Sequence, residues 1–430
     1  MKRWILLCLL AEPPVAGVRA QALALARCDA MGKGVNLSNW LEAYWQTGWP
    51  APQGYTKNFL AGIKQSGIRS VRLPVYFAGV TGETAPYAVD TSHAVFALVD
   101  SAIAWAEALD MRLIIDNHHG WPLADSAWRP SLPRMASLWG VLARRYAHLD
   151  PDRYFFELLN EPPIAIANDS LRVIYAACMD SIRAYAPGHS VVASPAFAGI
   201  GLGFHDFLPL ADTNVIYTFH TYDPYPFTHQ GFSWSVPFYA SGATYPGSGY
   251  DFLLDISWET MADWKNTYGL PVFLGEFGVG SYADDQSRCN WMDTIGRRIR
   301  RHDLSWFYWD VQYDFRMFRS GVVSADSIIP CFAESLRLYG DSLSTQDVAE
   351  PVSPGGVSVY PNPVTSRFTC RTDAGGPTRL EVYDDTGRQV LVRLFTQETD
   401  VYTEHWGNGL YLLKIRSAGH TSVRKIIVNR

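Results

Sequence analysis

The sequence has no apolar run near the roughly 20 residues that a membrane-spanning helix needs. Positive charge is scarce too. The net charge is −6, and no basic cluster offers the surface that nucleic acid requires. No C-x-x-C or Cys/His spacing marks a metal centre. No glycine-rich phosphate turn follows the first apolar run, and there is neither an internal repeat nor a low-complexity tract. Cysteine is sparse. If Cys8 is lost with a leader, Cys28, Cys178, Cys289, Cys331 and Cys370 remain, and an odd count leaves at least one thiol free or paired between chains. Their spacing assigns no disulfide.

What is present is a chain of 430 residues, 48% hydrophobic, which suits two or three domains or one large one with an appendage. Aromatic residues reach 14%, fitting either a surface that stacks on sugar rings or an aromatic core. The N-terminus reads as a secretory signal over residues 1–20. Lys2 and Arg3 precede the apolar run Trp4 to Ala11, and Val18-Arg19-Ala20 offers small residues for cleavage before Gln21. Pro13, Pro14 and Gly17 argue against a core helix there.

From about 31 to 340 the chain alternates. Eight short apolar runs read as buried strands, at 32–36, 67–74, 111–117, 153–160, 190–195, 214–219, 271–276 and 304–310. Helix-period segments such as 93–109 and 284–302 lie between them. Strands buried on both faces and alternating with helices predict a parallel sheet, and eight such units predict an α/β fold, a (β/α)8 TIM barrel. An open doubly wound sheet is the alternative. Polar residues gather where the runs end: Arg72, His118 and His119, Asn160 and Glu161, His220 and Tyr222, Glu276, Trp309. In a (β/α)8 barrel those ends share one mouth, where such enzymes keep their chemistry.

Two carboxylates across one mouth are what glycoside hydrolysis needs, one to donate a proton and one to attack or to activate water. Glu161 and Glu276, on the fourth and seventh strands, can flank a scissile bond. Each alone could be a salt-bridged strand end. Arg72 can hold Glu276 ionised, or cap the core as an ion pair. Asn160 can bind a sugar hydroxyl beside the reacting carbon, or simply make a turn. His118 and His119, as strand neighbours, should point to opposite faces, one to sugar and one to packing. They have no third ligand at metal-binding spacing. His220 and Tyr222 share a face, so His220 can sit near the acid and Tyr222 can bond the nucleophile. Trp309 can floor the sugar site or belong to the core. Trp40, Trp45, Trp49, Trp121, Trp128 and Trp234 fall after strand ends or in mouth-side loops, where some should line an open cleft.

After Gly340 the character changes. Residues 346–356 read as a Pro/Gly-rich linker, and 357–430 alternate as a small C-terminal all-β domain with hairpin turns at "DDTG" and "SAGH". The barrel domain is expected over 21–345.

The motifs "VRLPV", "DNHH", "LLNEP", "FHTYDPYPFTHQG", "FLGEFG" and "FYWD" together resemble glycoside hydrolase family 5, the retaining cellulase-like family. The resemblance spans about residues 30 to 340. It implies Glu161 as acid/base and Glu276 as nucleophile, with Arg72, His118, Asn160, His220, Tyr222 and Trp309 supporting them and no cofactor or metal. The long aromatic loop 223–250 departs from the pattern and puts the cleft shape in question. "VYPNP", "YDDTGR", "GLYLLKI" and "RKIIV" resemble the sorting domain read by type IX secretion; a polysaccharide-binding β-sandwich is the competing reading, weakened because Trp406 is its only Trp. The expectation is thus a secreted or surface-held monomer, exported through the periplasm, that acts as an endo-β-1,4-glucanase on β-glucan. Mannan, xyloglucan or mixed-linkage glucan are the alternatives within the same chemistry. A non-catalytic carbohydrate-binding barrel is the alternative outside it, and the presence of both carboxylates argues against it.

Overall fold

The computed structural model describes residues 15–338 and 357–428, leaving out 47, 51–53, 125–126, 248, 250, 320–322, 325–326, 363, 374, 385–387 and 418–419. The expected signal lies outside the described residues up to position 14, and the linker 346–356 lies outside them entirely.

Eight parallel strands close into a barrel in chain order. They are β1 (Lys33–Asn36), β2 (Ser70–Val75), β3 (Arg112–Asn117), β4 (Tyr154–Glu157), β5 (Val191–Ala193), β6 (Val215–Thr221), β7 (Val272–Phe277) and β8 (Trp306–Tyr308). Each falls within or beside one of the eight apolar runs. Helices α1 (Val15–Met31), α2 (Lys57–Gln65), α3 (Ala94–Ala108), α4 (Ser131–Tyr146), α5 (Asn168–Arg183), α6 (Tyr225–Thr228), α7 (Asp251–Tyr268), α8 (Asp285–Arg301) and α9 (Pro330–Ser335) accompany them. Amphipathic α4 shows the usual logic: Met135, Leu138, Trp139, Leu142 and Tyr146, spaced three to four apart, form its buried face.

The floor of the barrel is sealed by α1. Ala24, Cys28 and Met31 pack against Ile114, Phe155, Val192, Ile216, Phe273 and Phe307, one inward-facing layer from β3 to β8. On β1 the layer has Gly34, where a Cβ would come within 2.3 Å of the Phe307 ring. The sequence had argued against a helix at this end, yet α1 begins directly after Pro14 and runs through Gly17. A proline ahead of the first turn is tolerated, and one helical glycine costs about 1 kcal/mol, which the buried face offsets.

Cys289 on α8 is joined to Cys331 on α9. The sequence assigned no pairing, because a separation of 42 residues carries no signature. Cys28, Cys178 and Cys370 are free and buried.

The C-terminal domain is a small antiparallel sandwich. Strands β9 (Val357–Tyr360), β10 (Arg367–Thr372) and β13 (Glu398–Tyr402) form one sheet, and β11 (Thr378–Tyr383), β12 (Gln389–Phe395), β14 (Gly409–Ser417) and β15 (His420–Val428) the other. Alternate residues of both sheets, among them Phe368, Cys370, Leu380, Val382, Val401, Leu413, Ile415 and Ile426, make its core. Both expected hairpins are present, β11 to β12 and β14 to β15.

Candidate active site

Arg72 is the hub of the mouth. It lies in the middle of β2 rather than at its close, and its side chain is fully buried. Nε donates to Glu157 Oε2 at 2.7 Å and Nη2 to Glu157 Oε1 at 2.8 Å, a bidentate pair. Nη1 donates to Asn36 Oδ1 at 2.9 Å and to Glu276 Oε1 at 2.6 Å. Nη2 also reaches Asn160 Oδ1 at 2.9 Å and lies 3.0 Å from Asp116 Oδ2. A guanidinium has five N–H donors and accepts nothing, so Arg72 holds these five neighbours in one geometry.

Glu276 sits one residue before the end of β7, where the pairing with β6 slips: Phe219 faces Leu274 but His220 faces Glu276. Gly275 is the residue skipped. A Cβ there would lie 2.4 Å from Thr218 Oγ1 and 3.0 Å from His220 Nε2, so only glycine permits the approach. The slip brings His220 Nδ1 to 3.6 Å from Glu276 Oε2 and 2.8 Å from Glu161 Oε1. The Tyr222 hydroxyl donates to Glu276 Oε2 at 2.9 Å. Glu161 lies beyond β4, which ends at Glu157, and takes a left-handed backbone with φ of 34°. Non-glycine residues held in that region cluster at functional sites.

The two glutamates differ in their surroundings. Burial raises both carboxyls. At Glu276 it is opposed by His220 and Arg72, with the Tyr222 hydroxyl donating as well. At Glu161 only Arg72 opposes it, and the group is pushed up to about 7 although 35% of the side chain stays open to the mouth. Burial takes His220 down to about 4, so the ring between the carboxyls is neutral near pH 7. One oxygen of each glutamate and one nitrogen of His220 lie within 4.8 Å of one another. This is the one triangle of possible metal ligands among the described residues. It does not fit a resident cation: the permanent charge of Arg72 lies 2.6 Å from Glu276, and the imidazole and the tyrosine hydroxyl already engage the carboxylates. It does match the separation of about 5 Å between a paired acid and nucleophile.

His118 and His119 both lie past the end of β3, so strand alternation does not apply to them. They pack ring against ring with centroids 4.2 Å apart. His118 is buried, its Nδ1 is 2.5 Å from Asp116 Oδ2, and its ring stacks on Trp309 at 5.8 Å and 4°. His119 faces Tyr44 and Trp45. Trp309 is half-buried, with its ring against His118.

Trp40 is a correction. It is fully buried, stacked over Trp105 and edge-on to Tyr55, and belongs to the core. Of the other tryptophans singled out, Trp121 and Trp128 are buried and Trp49 stacks on His93. Trp45 and Trp234 are exposed, at 58% and 52%. The sequence missed Asn36, Asp116 and Glu157. Asn36 Nδ2 ties the hub to Gly275 O at 3.1 Å and Tyr308 O at 3.3 Å. For Glu157 a signal existed: a carboxylate inside "YFFELLN" must have a buried cation as partner.

Residues 28–315 match the cellulase family, glycosyl hydrolase family 5, and residues 358–429 match the secretion system C-terminal sorting domain. "Endoglucanase H" of Acetivibrio thermocellus is 28% identical over 284 residues, 65% of this chain and 29% of that protein. "Endoglucanase 3" of Fibrobacter succinogenes is 26% identical over 347 residues, 68% of this chain and 51% of that protein. The chain thus spans about half or less of these two relatives. A solved hyperthermophilic endo-β-1,4-glucanase, in complex with substrate, is 26% identical with a TM-score of 0.66, covering 73% of this chain and 99% of that one. No helix among the described residues is long and apolar enough to cross a membrane.

Proposed function

The chain belongs to glycosyl hydrolase family 5, and on that premise we propose that it cuts β-1,4-linked glucan chains internally, as a retaining endoglucanase. One observation carries the reading: an oxygen of Glu161 and an oxygen of Glu276 lie within 4.8 Å, and although burial raises both carboxyls, more groups oppose that rise at Glu276 than at Glu161, so of the two Glu161 is the better placed to hold the proton. Glu161 gives its proton to the leaving oxygen. Glu276, held by Arg72 and Tyr222, attacks the anomeric carbon, so the C–O bond to the leaving sugar breaks as the bond to Glu276 forms. Glu161 then takes a proton from the water that releases the sugar, and two displacements restore the configuration. Asn160 bonds the hydroxyl beside the reacting carbon, and Trp309 lies under the ring. Exposed Tyr44, Trp45 and Trp234 are available to stack on further sugars of an open cleft.

The protein is secreted or held at the cell surface. We assign residues 1–20 to a cleaved signal and the C-terminal domain to recognition by the secretion machinery.

The test follows an aryl β-cellobioside by NMR and soluble cellulose by viscosity. The first sugar product should carry the β configuration, and viscosity should fall faster than reducing ends appear. An α product would overturn the double displacement, and release of short sugars at unchanged viscosity would overturn internal cutting. A panel of β-mannan, xyloglucan and mixed-linkage glucan assigns the preferred chain.

A further inference from the structure

Asp116 is a fully buried carboxylate on β3 with no place in the mechanism above. Its Oδ2 meets two groups, Arg72 Nη2 at 3.0 Å and His118 Nδ1 at 2.5 Å. The protons in this chain of contacts are fixed by elimination. Arg72 only donates, so the Asn160 atom that it meets at 2.9 Å is the amide oxygen. The amide NH2 of Asn160 therefore faces His118 Nε2, at 3.4 Å. That group only donates, so Nε2 must be bare. Burial keeps His118 well below the ordinary imidazole range, so the ring is neutral and its one proton sits on Nδ1. Asp116 must then accept it.

We propose that Asp116 is a positioning residue: by accepting the Nδ1 proton it holds His118 in the tautomer whose bare Nε2 fixes the Asn160 amide for the substrate hydroxyl next to the reacting carbon. Without that acceptor the imidazole proton is free to move to Nε2, where it confronts the amide NH2. Asn160 then loses one of its two anchors, and the amide N–H that meets the sugar is no longer aimed. The Arg72 guanidinium and the His118 Nδ1–H face the same oxygen of Asp116, so an amide oxygen at that place can still accept the imidazole proton. The inference rests on the proposed function for its substrate, though not for the tautomer.

The experiment has two readouts. In histidine-labelled enzyme the ring-nitrogen shifts of His118 should report a protonated Nδ1 in the wild type and in Asp116→Asn, and protonation of Nε2 in Asp116→Ala. In kinetics, an aryl β-cellobioside is compared with its analogue lacking that hydroxyl on the reacting sugar. The wild type should prefer the hydroxylated substrate in kcat. Asp116→Ala should cut this preference at least about tenfold, leave kcat on the deoxy analogue within about threefold of the wild type, and be rescued by Asp116→Asn. Equal losses on both substrates would reduce Asp116 to a structural ion pair and overturn the proposal, as would a wild-type His118 protonated on Nε2. Should Asp116→Ala not fold, His118→Phe keeps the ring against Trp309 and removes the acceptor; it should erase the same preference, and an unchanged preference would again overturn the proposal. If the wild type turned over neither cellobioside, the proposed function would fall, while the His118 shifts would still decide the role of Asp116.

Discussion

The two ends of the barrel are built from the same eight strands and could hardly differ more. At the mouth, Arg72, Asp116, Glu157 and Glu276 are buried together, and Glu161 and His220 adjoin them. One permanent cation contacts three carboxyl groups. At the floor, α1 presses Ala24, Cys28 and Met31 onto a layer of aliphatic and aromatic side chains. Ionised groups taken out of water seldom return their full cost in stability, whereas each buried aliphatic or aromatic side chain contributes about 1.5–3 kcal/mol. The floor therefore carries stability, and the mouth spends some of it on chemistry.

The comparison is most sharply tested at Glu276. Glu276→Ala should lower turnover by about 10,000-fold, because the attacking oxygen is gone. It should change stability by less than about 2 kcal/mol, since Arg72 keeps Glu157 and Asp116 and one of several crowded negative charges is removed. Turnover and denaturant unfolding of the same preparation check both halves. Phe273→Ala, at the floor, is the reverse case. Loss of a buried phenyl group should cost about 3–5 kcal/mol while kcat per folded molecule stays within about twofold. A floor substitution that removed activity from folded protein would erase the distinction.

The sequence made the strands of this barrel legible for a physical reason: parallel strands buried on both faces are continuous apolar runs. The residues that the proposed reaction uses were legible for a related one, because Glu161, His220 and Glu276 interrupt or end such runs. What stayed hidden depends on partners far apart in the chain. Glu157 interrupts its apolar run, but the partner that explains it, Arg72, is 85 residues away. Trp40 and Trp45 sit in one loop, yet one faces the core and the other solvent, a matter of loop path rather than composition. The same holds for His118 and His119, whose strand ends one residue too soon for alternation to govern them.

A smaller effect should appear in the pH dependence. Burial shifts the Glu161 carboxyl from 4.5 to about 7. As the proton donor it must be protonated, so kcat/KM should fall as pH rises through about 7. The stability sign is the same. Between about 4.5 and 7 the folded chain holds this proton and the unfolded chain does not, so the group's contribution is present below the window and lost as pH climbs through it. Glu161→Gln should flatten that slope in melting temperature, whereas Phe273→Ala should lower the curve at every pH without changing its slope. An unchanged slope in Glu161→Gln would move the titration to another mouth carboxyl, with Asp116, also pushed up to about 7 by burial, as the next to substitute.

The smallest effect is expected where the comparison is weakest, at Arg27, a buried cation of the floor. It is 7% exposed and donates to Asp152 Oδ1 at 2.8 Å, Gly188 O at 2.8 Å and Ser190 Oγ at 3.0 Å. If it were a hub like Arg72, losing it would strand several buried acceptors. Its acceptors, however, have other partners. Ser190 Oγ donates to Asn214 Oδ1 at 2.6 Å, and Asn214 Nδ2 reaches Gly188 O at 3.2 Å. The Asp152 side chain is 68% exposed and can return to water, so that ion pair contributes little. Arg27→Met keeps the aliphatic stem against the floor. The cost should be about 1–2 kcal/mol, with no change in kcat and little change between low and high salt. A loss above about 4 kcal/mol would show that the floor too is held by a buried charge, and the contrast between the two ends would then rest on catalysis alone.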